Sequence, residues 1–161
     1  MRAGQLRTKL SETRERLLSV ISGVSEEQFK RRPADEGWCI AEVLAHLLSW
    51  EGLQVRRIRL ALESDGAPID AVDPDWQQSE ARKGRTAPVP QLIHGLLATR
   101  RETERLLDQA GEAGLQRAVT HPELGSQSVE LLLSVRVADH EAEHVQQIEA
   151  LRAEFGIRHT G

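Results

Sequence analysis

The stretch Val137-Ala138-Asp139-His140-Glu141-Ala142-Glu143-His144-Val145-Gln146-Gln147-Ile148 decides how this chain is read. It lies in a longer segment, from about Ser126 or Ser128 to Phe155, whose apolar residues recur with helical period and which Gly156 closes. His140 and His144 are four apart, so they stand on one helix face about 6 Å apart along the axis. On a helical wheel Leu133 and Leu151 fall between them, with Val129, Val137 and Phe155 close by, so both imidazoles are expected at the centre of the buried stripe. A buried imidazole without a partner leaves polar nitrogens unsatisfied, at about 1–3 kcal/mol for each group. Two in line need a shared reason, and one divalent ion supplies it, with Zn–N distances of about 2 Å.

Working outward, three more helices are expected: Gly4 to Ser22 on Leu6, Leu10, Leu17 and Ile21; Cys39 or Ile40 to Glu63 on Ile40, Leu44, Leu47, Val55, Ile58 and Leu62; and Pro90 to Ala110, broken by Gly111 and Gly114. Ser25-Glu26-Glu27-Gln28 reads as a capping box opening a short turn before Pro33. From Asp65 to Pro88 the chain is rich in Pro, Gly and Asp, with one helical turn expected around Trp76 to Arg82. No segment sustains the alternation of a strand. Four helices, with a connection of more than twenty residues between the second and third, predict an all-α, up-down-down-up four-helix bundle occupying residues 1–161 as one domain. The long connection permits a parallel pair where a short loop would force an antiparallel one.

A bundle metal site draws ligands from facing helices. His46 is the candidate on the second helix, beside Val43 and Trp50. Cys39 stands two turns earlier on that face, about 10 Å along the axis, too far to share the ion. His121 and His159 are expected in solvated loop and tail, with His94 in reserve. The segment also fits His-Glu-x-x-His, but the longer metzincin form needs Gly at 147 and His at 150, where Gln147 and Ala150 stand. Little chain follows to supply a downstream glutamate ligand. Glu143 equally fits the reversed pattern, so no general base is singled out. Glu141 and Glu143 are expected to be solvated or to support the ligands from behind.

The chain has 161 residues, a net charge of −4 and a single cysteine. The charge leaves no footprint for nucleic acid, and one cysteine excludes an intramolecular disulfide or a Cys-rich zinc site. The 21 Lys and Arg interleave with 25 Asp and Glu, and Arg56-Arg57-Ile58-Arg59 reads as a solvated face. Tyr is absent and Phe occurs twice, so the core is expected to be Leu, Val and Ile. No apolar run reaches the ~20 residues of a membrane span. Met1-Arg2-Ala3-Gly4-Gln5-Leu6-Arg7 carries no apolar signal core, so the expectation is cytoplasmic.

Trp38-Cys39-Ile40-Ala41-Glu42-Val43-Leu44-Ala45-His46-Leu47 on one helix and His140-Glu141-Ala142-Glu143-His144-Val145-Gln146-Gln147-Ile148 on another resemble the DinB/YfiT-like superfamily, with Glu26-Glu27 before Pro33 and Gly125 before the last helix in agreement. Cys39 departs from the Ser or Thr that many relatives place as a helix cap. The resemblance implies a four-helix bundle with a three-histidine site on His46, His140 and His144, and often a homodimer. It implies a divalent metal, Zn or Ni foremost, and a small-molecule substrate. Three neutral ligands leave a position for water or substrate. The first expectation is therefore a metal-dependent transferase that adds a low-molecular-weight thiol to small electrophiles. The alternatives are a metal-dependent hydrolase of a small molecule and a non-catalytic, stress-associated metal-binding dimer. Glu51, Gln147 or Glu143 could orient an imidazole or water.

Overall fold

Leu6, Leu10, Leu17, Val20 and Ile21 lie buried along one side of α1 (Ala3–Ile21) in the computed structural model, which describes residues 1–158; His159 lies outside these residues. The Ser25–Gln28 capping box opens α2 (Glu26–Lys30) as the sequence requires. Helix α3 (Ile40–Glu63) begins at Cys39, whose backbone N–H donates to Glu42 Oε1 at 3.1 Å. The long connection then carries β1 (Ala67–Pro68) and α4 (Pro74–Arg82), the latter capped by Asp73 and longer than the single turn expected. Helix α5 (Val89–Gly114) runs past Ala110, with a break at Gly111, where φ is 59°. Strands β2 (Ala118–His121) and β3 (Gly125–Ser128) follow, then α6 (Val129–Leu131), a π-helical segment Leu132–Asp139, and α7 (His140–Phe155).

Side-chain contacts give the directions. Thr13 meets Glu141 and Arg152 reaches the carbonyl of Val20, so α1 and α7 run parallel. Glu51 meets Arg100 and Arg59 meets Glu102, so α3 and α5 also run parallel. Arg14 reaches the carbonyl of Leu96 while Arg100 reaches that of Leu10, which sets α1 antiparallel to α5. This is the up-down-down-up bundle.

A small sheet was not expected. Strand β1 pairs parallel to β2, and β2 antiparallel to β3. At two to four residues each, the strands are too short to show a period-2 pattern, and their partners are brought by the bundle ends rather than by sequence neighbours.

The core falls into two apolar clusters with a polar layer between them. One holds Leu17, Leu44, Leu92, Leu96 and Ile148; the other holds Leu6, Leu10, Ile58, Leu106 and Leu133. Between them lie Thr13 and Arg14 of α1, Glu51 of α3, Arg100 and Thr103 of α5 and Glu141 of α7, all buried. Arg100 Nη2 donates to Glu51 Oε1 at 2.9 Å and to Glu141 Oε1 at 3.1 Å. Arg14 Nη2 donates to the same two oxygens at 3.3 and 3.0 Å. Thr103 Oγ1 donates to Glu51 at 2.7 Å and Thr13 Oγ1 to Glu141 at 3.0 Å. Two carboxylates and two guanidinium groups thus neutralise one another while tying four helices at one level.

Candidate metal centre

His46 sits at the second turn of α3, buried, and faces His140 and His144 at the start of α7. His140 Nε2 lies 3.1 Å from His46 Nε2 and 3.2 Å from His144 Nε2. The residues singled out from sequence are brought together. The others are not: His94 is exposed, and His121 lies in β2 with its Nδ1 accepting the N–H groups of Glu123 and Leu124 at 3.1 Å each. His121 is therefore a buried structural group rather than a solvated loop residue.

The placement of the pair on α7 differs from the wheel. His140 and His144 are half-buried, one position to the side of the buried line Glu141, Val145, Ile148 and Arg152. The π-helical segment accounts for this. Its i→i−5 turns are wider than α turns, so each residue advances by less than 100°. Over eight residues the phase slips back, and Glu141 rotates into line with Val129, Leu133 and Val137 where a uniform α-helix puts His140. The expectation that Glu141 is solvated or behind the ligands is corrected accordingly: it belongs to the buried ion layer, while Glu143 is exposed. Glu51 is likewise taken up by Arg100, Arg14 and Thr103, and orients no imidazole. The missed layer had a signal. The apolar stripes of α1 and α3 each skip a turn, between Leu10 and Leu17 and between Leu47 and Val55, and the gaps hold Thr13, Arg14 and Glu51.

The same π turn fits an aromatic wall to the site. The His140 N–H bonds to the Val135 carbonyl, five residues back. The Arg136 carbonyl, which an α-helical His140 would use, accepts the Trp50 indole N–H at 2.6 Å. Trp50 stacks on His140 with ring centroids 4.8 Å apart, and Trp38 lies 4.9 Å from His46. Trp38 is anchored by its indole N–H to Gln78 at 3.2 Å.

Burial keeps His46 and His140 neutral. Burial, then the charge of His144, pulls His46 down to about 4. Burial, then His144, His46 and Arg136, pulls His140 down to about 3. His144 Nδ1 donates to Gln147 Oε1 at 2.7 Å, which turns its Nε2 toward His140. Hydrogen bonding alone does not satisfy the cluster, because His140 Nε2 has either one proton or one lone pair and faces two nitrogens. Two nitrogens each about 2.0–2.1 Å from one zinc ion are themselves about 3–3.4 Å apart, the spacing of His140 Nε2 from the Nε2 atoms of His46 and His144. The donor set of three imidazoles could hold a borderline divalent ion.

A family model described as "DinB superfamily" matches residues 9–148. The chain is 29% identical over 143 residues to a Geobacillus thermodenitrificans protein named "Putative metal-dependent hydrolase", covering 87% of this chain and 78% of that one. Among solved structures it resembles YfiT from Bacillus subtilis, described as "a probable metal-dependent hydrolase with an unusual four-helix bundle topology", with TM-score 0.77, 21% identity and 96% and 87% of the two chains covered. It also resembles TT2238, "a four-helix bundle protein", with TM-score 0.66, 16% identity and 92% and 98% covered. No helix among the described residues is long and apolar enough to cross a membrane.

Proposed function

Because this chain belongs to the DinB superfamily, we propose that it is a metal-dependent enzyme in which His46, His140 and His144 hold one divalent ion, zinc or nickel, and a low-molecular-weight thiol attacks a small electrophile. Such an ion supplies Lewis acidity that lowers the pKa of a thiol or water beside it. Gln147 holds His144 by its Nδ1 and so turns Nε2 toward His140. Trp38 and Trp50 fix the His46 and His140 rings and narrow the access of bulk water to them.

The observation that carries the thiol over water is the absence of a free carboxylate at the three histidines among the described residues. Glu51 and Glu141 are spent on Arg14 and Arg100, and Glu143 is exposed. A thiol, with an ordinary pKa near 8.5, needs less help in losing its proton than water. The hydrolase reading is kept as the second one because of the names of the Geobacillus and Bacillus proteins.

The test uses zinc- or nickel-loaded protein with 1-chloro-2,4-dinitrobenzene and a bacterial low-molecular-weight thiol. Sulfur displaces chloride, giving thioether, chloride and a proton. The expected result is a thiol-dependent rate lost in His144→Ala. Hydrolysis of activated esters or amides, indifferent to thiol, transfers the assignment to the hydrolase. Bound metal with turnover of neither kind leaves the metal-binding dimer.

A further inference from the structure

A cleft of about 390 Å³ opens between α3 and the segment after β1, lined by Leu53, Arg57, Ile69, Val72 and Trp76. Arg57 forms its floor and is only 7% exposed. The sequence reading placed it on a solvated face; instead the segment through Asp70 covers it. Among the described residues its one hydrogen bond runs from Nη2 to the Asp70 backbone carbonyl at 2.8 Å. Among the described residues no carboxylate oxygen lies within ion-pair distance of its guanidinium. Asp70 and Asp73 also line the cleft, both exposed; the Asp70 carboxylate acts on Arg57 only at longer range, whereas Arg136 and Arg56 add positive charge to the same place. Burying a guanidinium is costly unless a charge or full hydrogen bonding compensates it. Arg57 itself lines the cleft.

The same helix, α3, carries both a wall of the cleft and His46. Trp50, Leu53 and Arg57 follow at i, i+3 and i+7 on one face of α3, and Trp50 stacks on His140. Arg136 is close enough for its charge to act on both Arg57 and His140. We infer that this cleft is the subsite for an organic anion: a small molecule whose apolar body lies on Leu53, Ile69, Val72 and Trp76 and whose carboxylate pairs with Arg57. The planar fork of arginine suits a carboxylate in two-point contact. The inference rests on the proposed function only for the direction of the substrate, whose other end then reaches the histidines.

The test compares 4-phenylbutyrate with 4-phenylbutanol, a neutral analogue of similar shape, by titration calorimetry and by amide and indole shifts in labelled protein. The acid is expected to bind roughly ten- to a hundredfold more tightly, the range of a hydrogen bond to a charged group, shifting Leu53, Val72 and the Trp76 indole. Arg57→Met removes the preference, and His46→Ala preserves it, since the acid sits apart from the histidines. Equal affinity for acid and alcohol, no binding of the acid, or a preference that survives in folded Arg57→Met overturns the inference. So does loss of acid binding in His46→Ala with its helical signal intact. If Arg57→Met does not fold, the shifts in the parent protein decide, and shifts elsewhere overturn it. No outcome depends on turnover, so a failed thiol assay leaves this result standing.

Discussion

Glu51 and Glu141, ninety positions apart, accept from the same nitrogen, Arg100 Nη2, at 2.9 and 3.1 Å. The pair sets the axial level of α3 against α7. Each carboxylate lies close in sequence to a residue of the histidine site, Glu51 next to Trp50 and Glu141 next to His140, so the ion layer is the gauge that brings His46 opposite His140.

Removing one charge from the layer leaves its partners buried and unpaired. Glu141→Gln is therefore expected to destabilise the fold by about 3–5 kcal/mol, read as a lower urea midpoint. Glu143→Gln, on the exposed side of the same helix, should stay within about 0.5 kcal/mol. Equal midpoints for the two variants would show that the layer does not hold the bundle.

Metal content should be about one divalent ion per chain, and His46→Ala, His140→Ala and His144→Ala should each lose it, while His94→Ala and His121→Ala keep it. Gln147→Ala should weaken binding by about 10–100-fold, the usual effect of freeing a ligand imidazole. With Trp50 stacked on His140 and Trp38 beside His46, nickel should also quench tryptophan fluorescence. Elemental analysis of His46→Ala that matches the parent would remove His46 from the ligand set.

The metal-free protein should lose stability as pH falls below about 6.5. In the folded state His46 and His140 are held down to about 4 and about 3, so between pH 6.5 and 4 the unfolded chain takes up protons that the folded one does not. Their contribution is fully present above 6.5 and declines as pH drops toward 4. Urea titrations at pH 7.5 and 5.0 measure the slope. His140→Gln should flatten it, and a variant with the parent's slope would contradict the assignment.

Gly84 lies so close to α3 that a Cβ there would stand 2.4 Å from the Ala41 carbonyl oxygen and 2.7 Å from Glu42 Cα. Backbone, not a flexible side chain, would have to move. Gly84→Ala is expected to cost about 1–3 kcal/mol and to displace the start of the helix that carries His46. A thermal melt and a metal titration on the same variant check both effects.

Much of this was legible in the chain. The stripes of α1 and α3, the Ser25 capping box and the i,i+4 pair depend on residues within a turn or two of one another, and local periodicity reports such relations directly. His46 stands on a helix facing the pair, as a bundle site requires, and its Nε2 lies 3.1 Å from that of His140.

Other features belonged to the assembled fold. A wheel assumes one uniform helix; the π-helical segment Leu132–Asp139 breaks that assumption with no Gly or Pro to announce it, and so exchanges the places of Glu141 and His140. Arg57 and Arg100 look like any surface arginine until the segment after β1 covers one and Glu51 meets the other. The sequence by itself determined which residues could be helical, which faces were apolar and which side chains could bind a metal, because those are properties of residue type and spacing. Only the tertiary structure decided which charges would be buried, which imidazole nitrogens would converge and which buried cation would lack an ion-pair partner among the described residues. Burial and pairing are relations between segments far apart in the chain, and their energies exist only once those segments meet.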